Sequence, residues 1–232
     1  MVAVGPDDED QVCVAAGGAE QNRLPLTGKT LQSLAVSADG ELTVVGTEFA
    51  TAGSAVVYAA SGMPVDEARL PAPVTAVGFS PDATRVVAAD GNGTVIVFGL
   101  TSKPRYECST QLPRTERVVA ADLGTGSNDS NLLAVASATG VFVFSVDDQG
   151  DQCAELVGGF DLERDEGRVL DLAFTEDGRL TVLESDLFVF TFDPLAAPQA
   201  VVAQIDELAS SREWAFDDAR CQELVGRSCP SS

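Results

Sequence analysis

Aspartate and glutamate are the residue types of this sequence that could carry out acid–base or nucleophilic catalysis. Five of them lie in one short stretch. Two carboxylates that flank a glycosidic bond can act as general acid and as nucleophile or base. Acids are abundant here, however, with 36 Asp and Glu in 232 residues, and turns use them for conformational reasons. We therefore predict structural roles and no catalytic residue; the five candidates are Asp171, Glu176, Asp177, Glu184 and Asp186.

The sequence contains no histidine. An imidazole base, a Ser-His or Cys-His nucleophile and an imidazole metal ligand are therefore all excluded. Hydrolases that depend on these groups are therefore excluded, whereas chemistry based on carboxylates alone is not.

Two further motifs resemble ligand sites. Thr27-Gly28-Lys29-Thr30 has the end of a phosphate-binding loop, but that motif needs a glycine five residues before Gly28, where Arg23 stands. We predict an ordinary loop between strands. The Asp-rich segments 147–151 and 124–131 offer oxygen ligands for calcium without the alternating spacing and distal glutamate of a calcium loop, so we predict turns there and no metal or cofactor site.

The elements that carry these residues repeat along the chain. Residues 31–47 (LQSLAVSADGELTVVGT), 74–90 (VTAVGFSPDATRVVAAD) and 169–185 (VLDLAFTEDGRLTVLES) share one order of strand, tight turn and strand. The first two begin 43 residues apart and the third begins 95 later. A degenerate copy with an expanded turn, 117–137, lies between them, so the period holds throughout.

Each copy continues into a third, β-branched strand that carries an aromatic residue at a matching place. We predict that these aromatics pack between neighbouring sheets; they are Tyr58, Phe98, Phe144 and Phe190. A weaker fourth strand follows near 67–70, 106–112, 152–157 and 200–205. Four strands in about 45 residues is the spacing of a β-propeller blade.

The pattern resembles the WD-repeat β-propeller family. Phe79-Ser80-Pro81-Asp82 leads to Asp90-Gly91 and then to the strand 94–98, and the likeness extends over about 31–205. The family's Gly-His pair is absent, and Phe or Tyr holds its Trp-Asp position. The resemblance implies an all-β propeller that serves as a protein-interaction surface.

The N-terminal segment 1–26 contains VAVG, QVCVAAGG and QNRLPL, which we interpret as the second, third and fourth strands of an earlier blade. The predicted organisation is a partial blade at 1–26 and four blades within 27–210, at about 31–73, 74–116, 117–168 and 169–210. We interpret it as a piece of a larger ring; the alternative is a small closed ring.

Residues 211–232 predict a short C-terminal helix. Ser211 can cap it and Gly226 can end it, and apolar residues recur between them at near-helical spacing. Trp214, Cys221, Gly226 and Arg227 resemble the ending of actinobacterial WD-repeat proteins, some of them joined to STAND-type NTPases. That resemblance implies the sensor or scaffold end of a bacterial signalling protein.

The charge balance disfavours polyanionic ligands. Lys and Arg number 14 against 36 acids, which gives a net charge of −22, so nucleic acid and anionic membrane surfaces are not expected as partners. No apolar run reaches the ~20 residues of a membrane span, and the N-terminus lacks the pattern of a signal peptide. These features predict a cytoplasmic protein.

The five cysteines, Cys13, Cys108, Cys153, Cys221 and Cys229, are too widely spread for a metal knuckle or a disulfide scaffold. Most are predicted to be buried thiols, although Cys221 and Cys229 could pair in an oxidising compartment. Altogether the sequence predicts a non-enzymatic scaffold or sensor module with another protein as its partner. The alternative is a propeller enzyme, a hydrolase or lyase using carboxylates or a loop-bound calcium.

Overall fold

The structure of the chain is a computed structural model. It describes residues 2–8, 11–16, 19–26, 28–100, 106–113, 115–126, 130–146, 154–161, 168–185 and 189–195, and the side chains among these except at 2–22, 106–107 and 154. The chain divides into two compact units, Met1–Pro198 and Gln199–Ser232, and every described residue belongs to the first. The helix predicted within 211–232 and the strand predicted at 200–205 lie outside the described residues.

The described residues form strands and turns. The strands are β1 (Val2–Asp8), β2 (Gln11–Ala16), β3 (Ala19–Pro25), β4 (Thr30–Val36), β5 (Leu42–Phe49), β6 (Ala52–Ala59), β7 (Pro64–Leu70), β8 (Val74–Phe79), β9 (Arg85–Asp90), β10 (Thr94–Gly99), β11 (Tyr106–Gln111), β12 (Val118–Thr125), β13 (Asn131–Ser137), β14 (Gly140–Val146), β15 (Ala154–Asp161), β16 (Val169–Phe174), β17 (Leu180–Glu184) and β18 (Val189–Phe192). No helix in this part of the chain is long and apolar enough to cross a bilayer.

Consecutive strands pair antiparallel into five sheets, β1–β3, β4–β7, β8–β11, β12–β15 and β16–β18, which we number blades 1 to 5. Blades 2, 3 and 4 have four strands, and three strands are described in each of blades 1 and 5. The first strands of blades 2 to 5 contact one another in succession, β4 with β8, β8 with β12 and β12 with β16. Sheets that meet through their first strands form a β-propeller, which confirms the predicted fold class.

Local chemistry explains why blades 2, 3 and 5 begin with the same hairpin. In three of the first turns a hydroxyl donates to the carboxylate two residues later, and the backbone closes the turn with a hydrogen bond across four residues. Such side-chain bonds favour a turn over a continuing strand. The hydroxyl–carboxylate pairs are Ser37–Asp39, Ser80–Asp82 and Thr175–Asp177.

Apolar packing between blades supplies the core. Val44 and Val57 of blade 2 pack in one cluster with Val86 and Phe98 of blade 3, and all four side chains are fully buried. A single sheet cannot bury both of its faces, so each blade depends on its neighbours. Each such side chain contributes about 1.5–3 kcal/mol when it leaves water.

Blade 1 lacks a described innermost strand. Leu24 of β3 packs against Val45 and Tyr58 of blade 2, much as Leu70 of β7 packs in the cluster that holds Phe98 of blade 3. Because β7 is the fourth strand of its blade, β3 takes the fourth-strand place as well. The sheet β1–β3 thus lies beside blade 2 as a neighbouring blade does, and the partial blade at 1–26 stays a prediction.

Two details differ from the sequence expectations. Tyr58, Phe98, Phe144 and Phe190 are all buried, as predicted, but in blade 5 the ladder places Phe192 opposite Leu180, at the position that Phe98 occupies opposite Val86. The match of Phe190 was therefore wrong by two residues, which keeps the aromatic on the same face of the strand. Cys108 is buried, but it is disulfide-bonded and so is not a thiol.

Candidate functional site

The innermost strands line an open cavity of the molecule. Its volume is about 630 Å³, and its described wall comes from the ends of β4, β8, β12 and β16 and from the turns that follow them. We call it the inner cavity. The residues that line it are 35, 36 and 38 from the first of these strands and its turn, 77–81 from the second, 121–125 from the third and 171–176 from the fourth.

Asp122 is the residue that departs from the repeat in this wall. In the ladders between first and second strands, Ala35 pairs with Val44, Gly78 with Val87 and Asp122 with Ala134, and Ala173 takes the same place in blade 5. Three blades thus use a small side chain where blade 4 has a carboxylate.

The neighbours of Asp122 shape its electrostatics. Its Oδ2 accepts a hydrogen bond of 2.8 Å from the backbone N–H of Phe174 in blade 5. Burial raises the pKa of Asp122 to about 6, against the opposing effect of the backbone N–H groups of Phe174 and Leu123, and the charge of Asp171 raises it further. A half-buried carboxylate is thus held at the wall in spite of the cost of removing it from water.

The structure does not bring the five predicted carboxylate candidates together. Asp171 and Glu176 line the inner cavity, both with exposed side chains. Asp177 accepts a hydrogen bond from the Thr175 hydroxyl in the turn, and this bond lowers the pKa of the Asp177 carboxyl. Glu184 is fully buried at the far end of β17, and Asp186 lies outside the described residues.

Lys29 is engaged by the protein itself. Its Nζ donates to Ser54 Oγ over 2.9 Å and lies 3.6 Å from Glu67 Oε1. The segment connects β3 to β4, as predicted for an ordinary loop between strands.

Neither Asp-rich segment is described in full. The N–H of Gly126 donates a hydrogen bond of 2.8 Å to the Ser130 carbonyl, while residues 127–129 and 147–151 lie outside the described residues. Within the described ranges, no three acidic or cysteine side chains are grouped closely enough to hold a metal ion.

Asp90, which the sequence analysis named in the repeat pattern without a role, is a structural residue. It is fully buried at the end of β9 and accepts bonds from the N–H groups of Ala72, Asn92 and Thr94, at 3.3, 2.9 and 2.9 Å. The equivalent end of β5 carries Thr47, which bonds to Ser54 over 3.0 Å between hydroxyl oxygens. Asp90 thus holds the turn after β9 and the link at Ala72 that leads into blade 3, whereas the Thr47–Ser54 bond lies within blade 2.

Comparison with known proteins shows the fold of the chain. No protein-family model matches the chain, and no curated protein matches it. Among solved structures, it is similar to Chaetomium thermophilum Sqt1 bound to the N-terminus of the ribosomal protein L10, with 19% identity, a TM-score of 0.62, and 83% of this chain and 55% of that one covered. It is also similar to a chain of the mitotic checkpoint complex, with 16% identity, a TM-score of 0.63, and 83% and 58% covered. Both neighbours are WD40 β-propellers, and this chain spans little more than half their length.

Proposed function

We propose that this β-propeller is a non-enzymatic scaffold or sensor module that binds another protein. The observation that carries the proposal is the packing of the blades through their first strands, which presents their turns and the inner cavity at the same end of these strands. Propellers use such rigidly held loops as binding surfaces, and the scaffold needs no reactive group of its own.

The structural neighbours support a protein partner. One is a propeller bound to the N-terminus of a ribosomal protein, and the other belongs to a checkpoint complex. For this chain we propose only the class of partner, a protein, with no nucleic acid or membrane bound. The net charge of −22 supports that choice because polyanions would be repelled.

We further propose that the module serves as the C-terminal part of a larger bacterial signalling protein. The support is the resemblance of Trp214, Cys221, Gly226 and Arg227 to the endings of actinobacterial WD-repeat proteins. A catalytic domain, if the whole protein has one, would then lie in another part of the polypeptide.

Affinity purification of the tagged full chain from its source organism tests the proposal. We expect one protein to co-purify in near-equal amount and then to co-elute with the purified chain in size-exclusion chromatography. Failure of every co-purified protein to form such a complex would contradict the scaffold role. A thermal melt in EDTA checks the competing calcium-dependent enzyme, which requires that the chelator lower the melting temperature.

A further inference from the structure

The turn between β9 and β10 holds the pair Asn92-Gly93, the only asparagine–glycine step of the sequence. The chain has four asparagines, and the other three precede Arg23, Asp129 and Leu132. A glycine has no Cβ, so the backbone nitrogen that follows Asn92 is open to close approach by the asparagine side chain. This pair therefore brings an amide carbon and a backbone nitrogen within reach of each other.

The side-chain amide of Asn92 is accessible to solvent. Asn92 is exposed, and among the described residues its hydrogen bonds involve only its backbone. Its N–H donates to Asp90 Oδ1 over 2.9 Å, and its carbonyl accepts a bond of 2.7 Å from Gln111 Nε2. In the turn after β4, by contrast, the side chain of Asp39 is held by a bond of 2.6 Å from Ser37 Oγ. Within the described part of the chain no such bond restrains the amide of Asn92.

The backbone nitrogen of Gly93 is held weakly. Its N–H donates to the Asp90 carbonyl over 3.3 Å, which is longer than the usual range of about 2.7–3.2 Å. The corresponding N–H groups of three other turns, at Gly40, Gly62 and Gly178, donate over 2.9, 2.8 and 3.0 Å. Gly93 is itself buried, so the folded turn, and not the sequence pair alone, sets how fast this nitrogen reacts.

We propose that Asn92 is a site of spontaneous deamidation in the folded chain. Hydroxide removes the proton of the Gly93 nitrogen, which then attacks Cγ of Asn92. The new C–N bond forms as the Cγ–Nδ2 bond breaks, and ammonia leaves with a proton from water. A water molecule then opens the resulting succinimide ring at either of its two carbonyl groups. The products are aspartate and isoaspartate, so one water is consumed, one ammonia is released, and nothing is oxidised or reduced.

The isoaspartate product alters the turn. Its backbone runs through the former side chain and is longer by one methylene group, which changes the spacing between the N–H and the carbonyl of residue 92. The bonds from this N–H to Asp90 and from Gln111 to this carbonyl depend on that spacing. Asp90 also accepts the N–H of Ala72 in the link to blade 3, so the effect extends beyond the turn. The modification does not depend on the proposed protein-binding role.

Timed incubation of the purified, folded chain at pH 8 tests the proposal. Trypsin releases Asn92 as the only asparagine of peptide 86–105, and it releases Asn128 and Asn131 together in peptide 118–164. Deamidation raises the mass of a peptide by one unit, and an isoaspartyl methyltransferase labels the isoaspartate product. We expect Asn92 to convert at least about tenfold faster than the other two asparagines, because only its neighbour lacks a Cβ. Conversion should be slower at pH 6, where hydroxide is scarcer.

The matched variant is Asn92→Ser, which has no amide to lose. After the incubation we expect the melting temperature of the wild type to fall and that of Asn92→Ser to stay unchanged. An unmodified peptide 86–105, equal conversion of Asn128 and Asn131, or conversion only when urea unfolds the chain would each overturn the inference. The peptide comparison uses the wild type alone, so it holds even where the variant fails to fold. Complex formation with a protein partner is measured separately, so failure of this inference leaves the proposed function standing.

Discussion

The backbone N–H of Phe174 donates to Oδ2 of Asp122 over 2.8 Å, and this bond crosses from the innermost strand of blade 5 to that of blade 4. Two other bonds join innermost strands in the same way, from Val77 N to Ser33 Oγ over 3.2 Å and from Thr75 Oγ1 to the Val118 carbonyl over 2.6 Å. In blade 4 the acceptor is an ionisable side chain, so we expect the stability of the junction between blades 4 and 5 to depend on pH.

Stability should respond to Asp122 in a defined direction. Its folded pKa of about 6 lies above the ordinary value of 3.8, so the folded state holds the proton more tightly than the unfolded state. That contribution is complete below about pH 3.8 and is lost as pH rises through 6. Asp122→Asn mimics the protonated form and keeps an oxygen for Phe174 N–H. We expect it to be more stable than wild type at pH 7.5, by on the order of 1–3 kcal/mol, and to match wild type near pH 4.

Urea unfolding from pH 4 to pH 8 measures this difference, and Asp177→Asn is its control. The pKa of Asp177 is lowered by the Thr175 hydroxyl, so its contribution is present at neutral pH and is lost in acid. The control variant should therefore lose stability at pH 7.5. An Asp122→Asn variant that is less stable than wild type at pH 7.5 contradicts the prediction.

Replacing Asp90 by alanine should destabilise the chain strongly. The change leaves the N–H groups of Ala72, Asn92 and Thr94 without their acceptor at a fully buried position, which costs about 2–4 kcal/mol. Asp90→Asn keeps one acceptor oxygen and should cost less. Chemical denaturation gives both values, and Asp82→Ala, in an exposed turn, serves as the comparison. Equal losses of unfolding free energy for Asp90→Ala and Asp82→Ala would contradict this structural role of Asp90.

Gly53 lies where the backbone of blade 2 touches the link to blade 3. A Cβ there would stand 2.5 Å from the Val74 nitrogen and 2.6 Å from the Ala72 carbonyl oxygen, and neither backbone atom can rotate away. Gly53→Ala should therefore cost about 3 kcal/mol. Gly91→Ala, whose Cβ would meet its nearest atoms at 3.9 Å, should cost less than about 1 kcal/mol. Comparable melting temperatures for the two variants would count against close inter-blade contact.

Ala83 adopts a left-handed backbone conformation that suits glycine. Its φ is 55°, while the matching turn residues Gly40 and Gly178 have φ of 77° and 79°. An L-residue pays about 1 kcal/mol in this region, so Ala83→Gly should raise the free energy of unfolding by about 0.5–1 kcal/mol. Ala83→Val should lower it because a β-branched side chain tolerates positive φ poorly. Urea midpoints report both, and a destabilised Ala83→Gly would show that the turn is not strained.

Reduction should lower the melting temperature because Cys108 is in a disulfide and such bonds contribute about 2–4 kcal/mol. Its strand β11 contacts β15 of the next blade, and Cys153 directly precedes β15 in sequence, so we expect these two cysteines to pair. All five cysteines fall on different tryptic peptides, so mass spectrometry of a non-reduced digest identifies the partner.

The matched variant is Cys108→Ser, whose melting temperature should equal that of the reduced wild type. An oxidised chain without a Cys108 crosslink would contradict the prediction. Disulfides are rare in reducing compartments, so the same digest, made from protein isolated from its source, also tests the predicted cytoplasmic location.

The sequence alone determined the order of strands and turns, because both depend on neighbouring residues. A serine or threonine followed two places later by aspartate sets the hairpin of Ser80 and Asp82 without help from distant parts of the chain. The β-branched runs around Val95 and Val143 follow from the same local chemistry. Their recurrence at a constant period then implied blades, since one such sheet cannot bury two apolar faces by itself.

Only the tertiary structure decided which side chains meet across blades. Asp122 and Phe174 are 52 residues apart, and their contact depends on the angle between two sheets, which no short motif encodes. The same reason explains why Phe192 takes the place predicted for Phe190: the register of β18 on β17 follows from strand pairing, and a shift of two residues keeps every side chain on its face. The acids that were equivalent candidates in the sequence have different environments in the structure. Glu184 is buried, Asp177 accepts a hydrogen bond in a turn, and Asp171 lines the inner cavity.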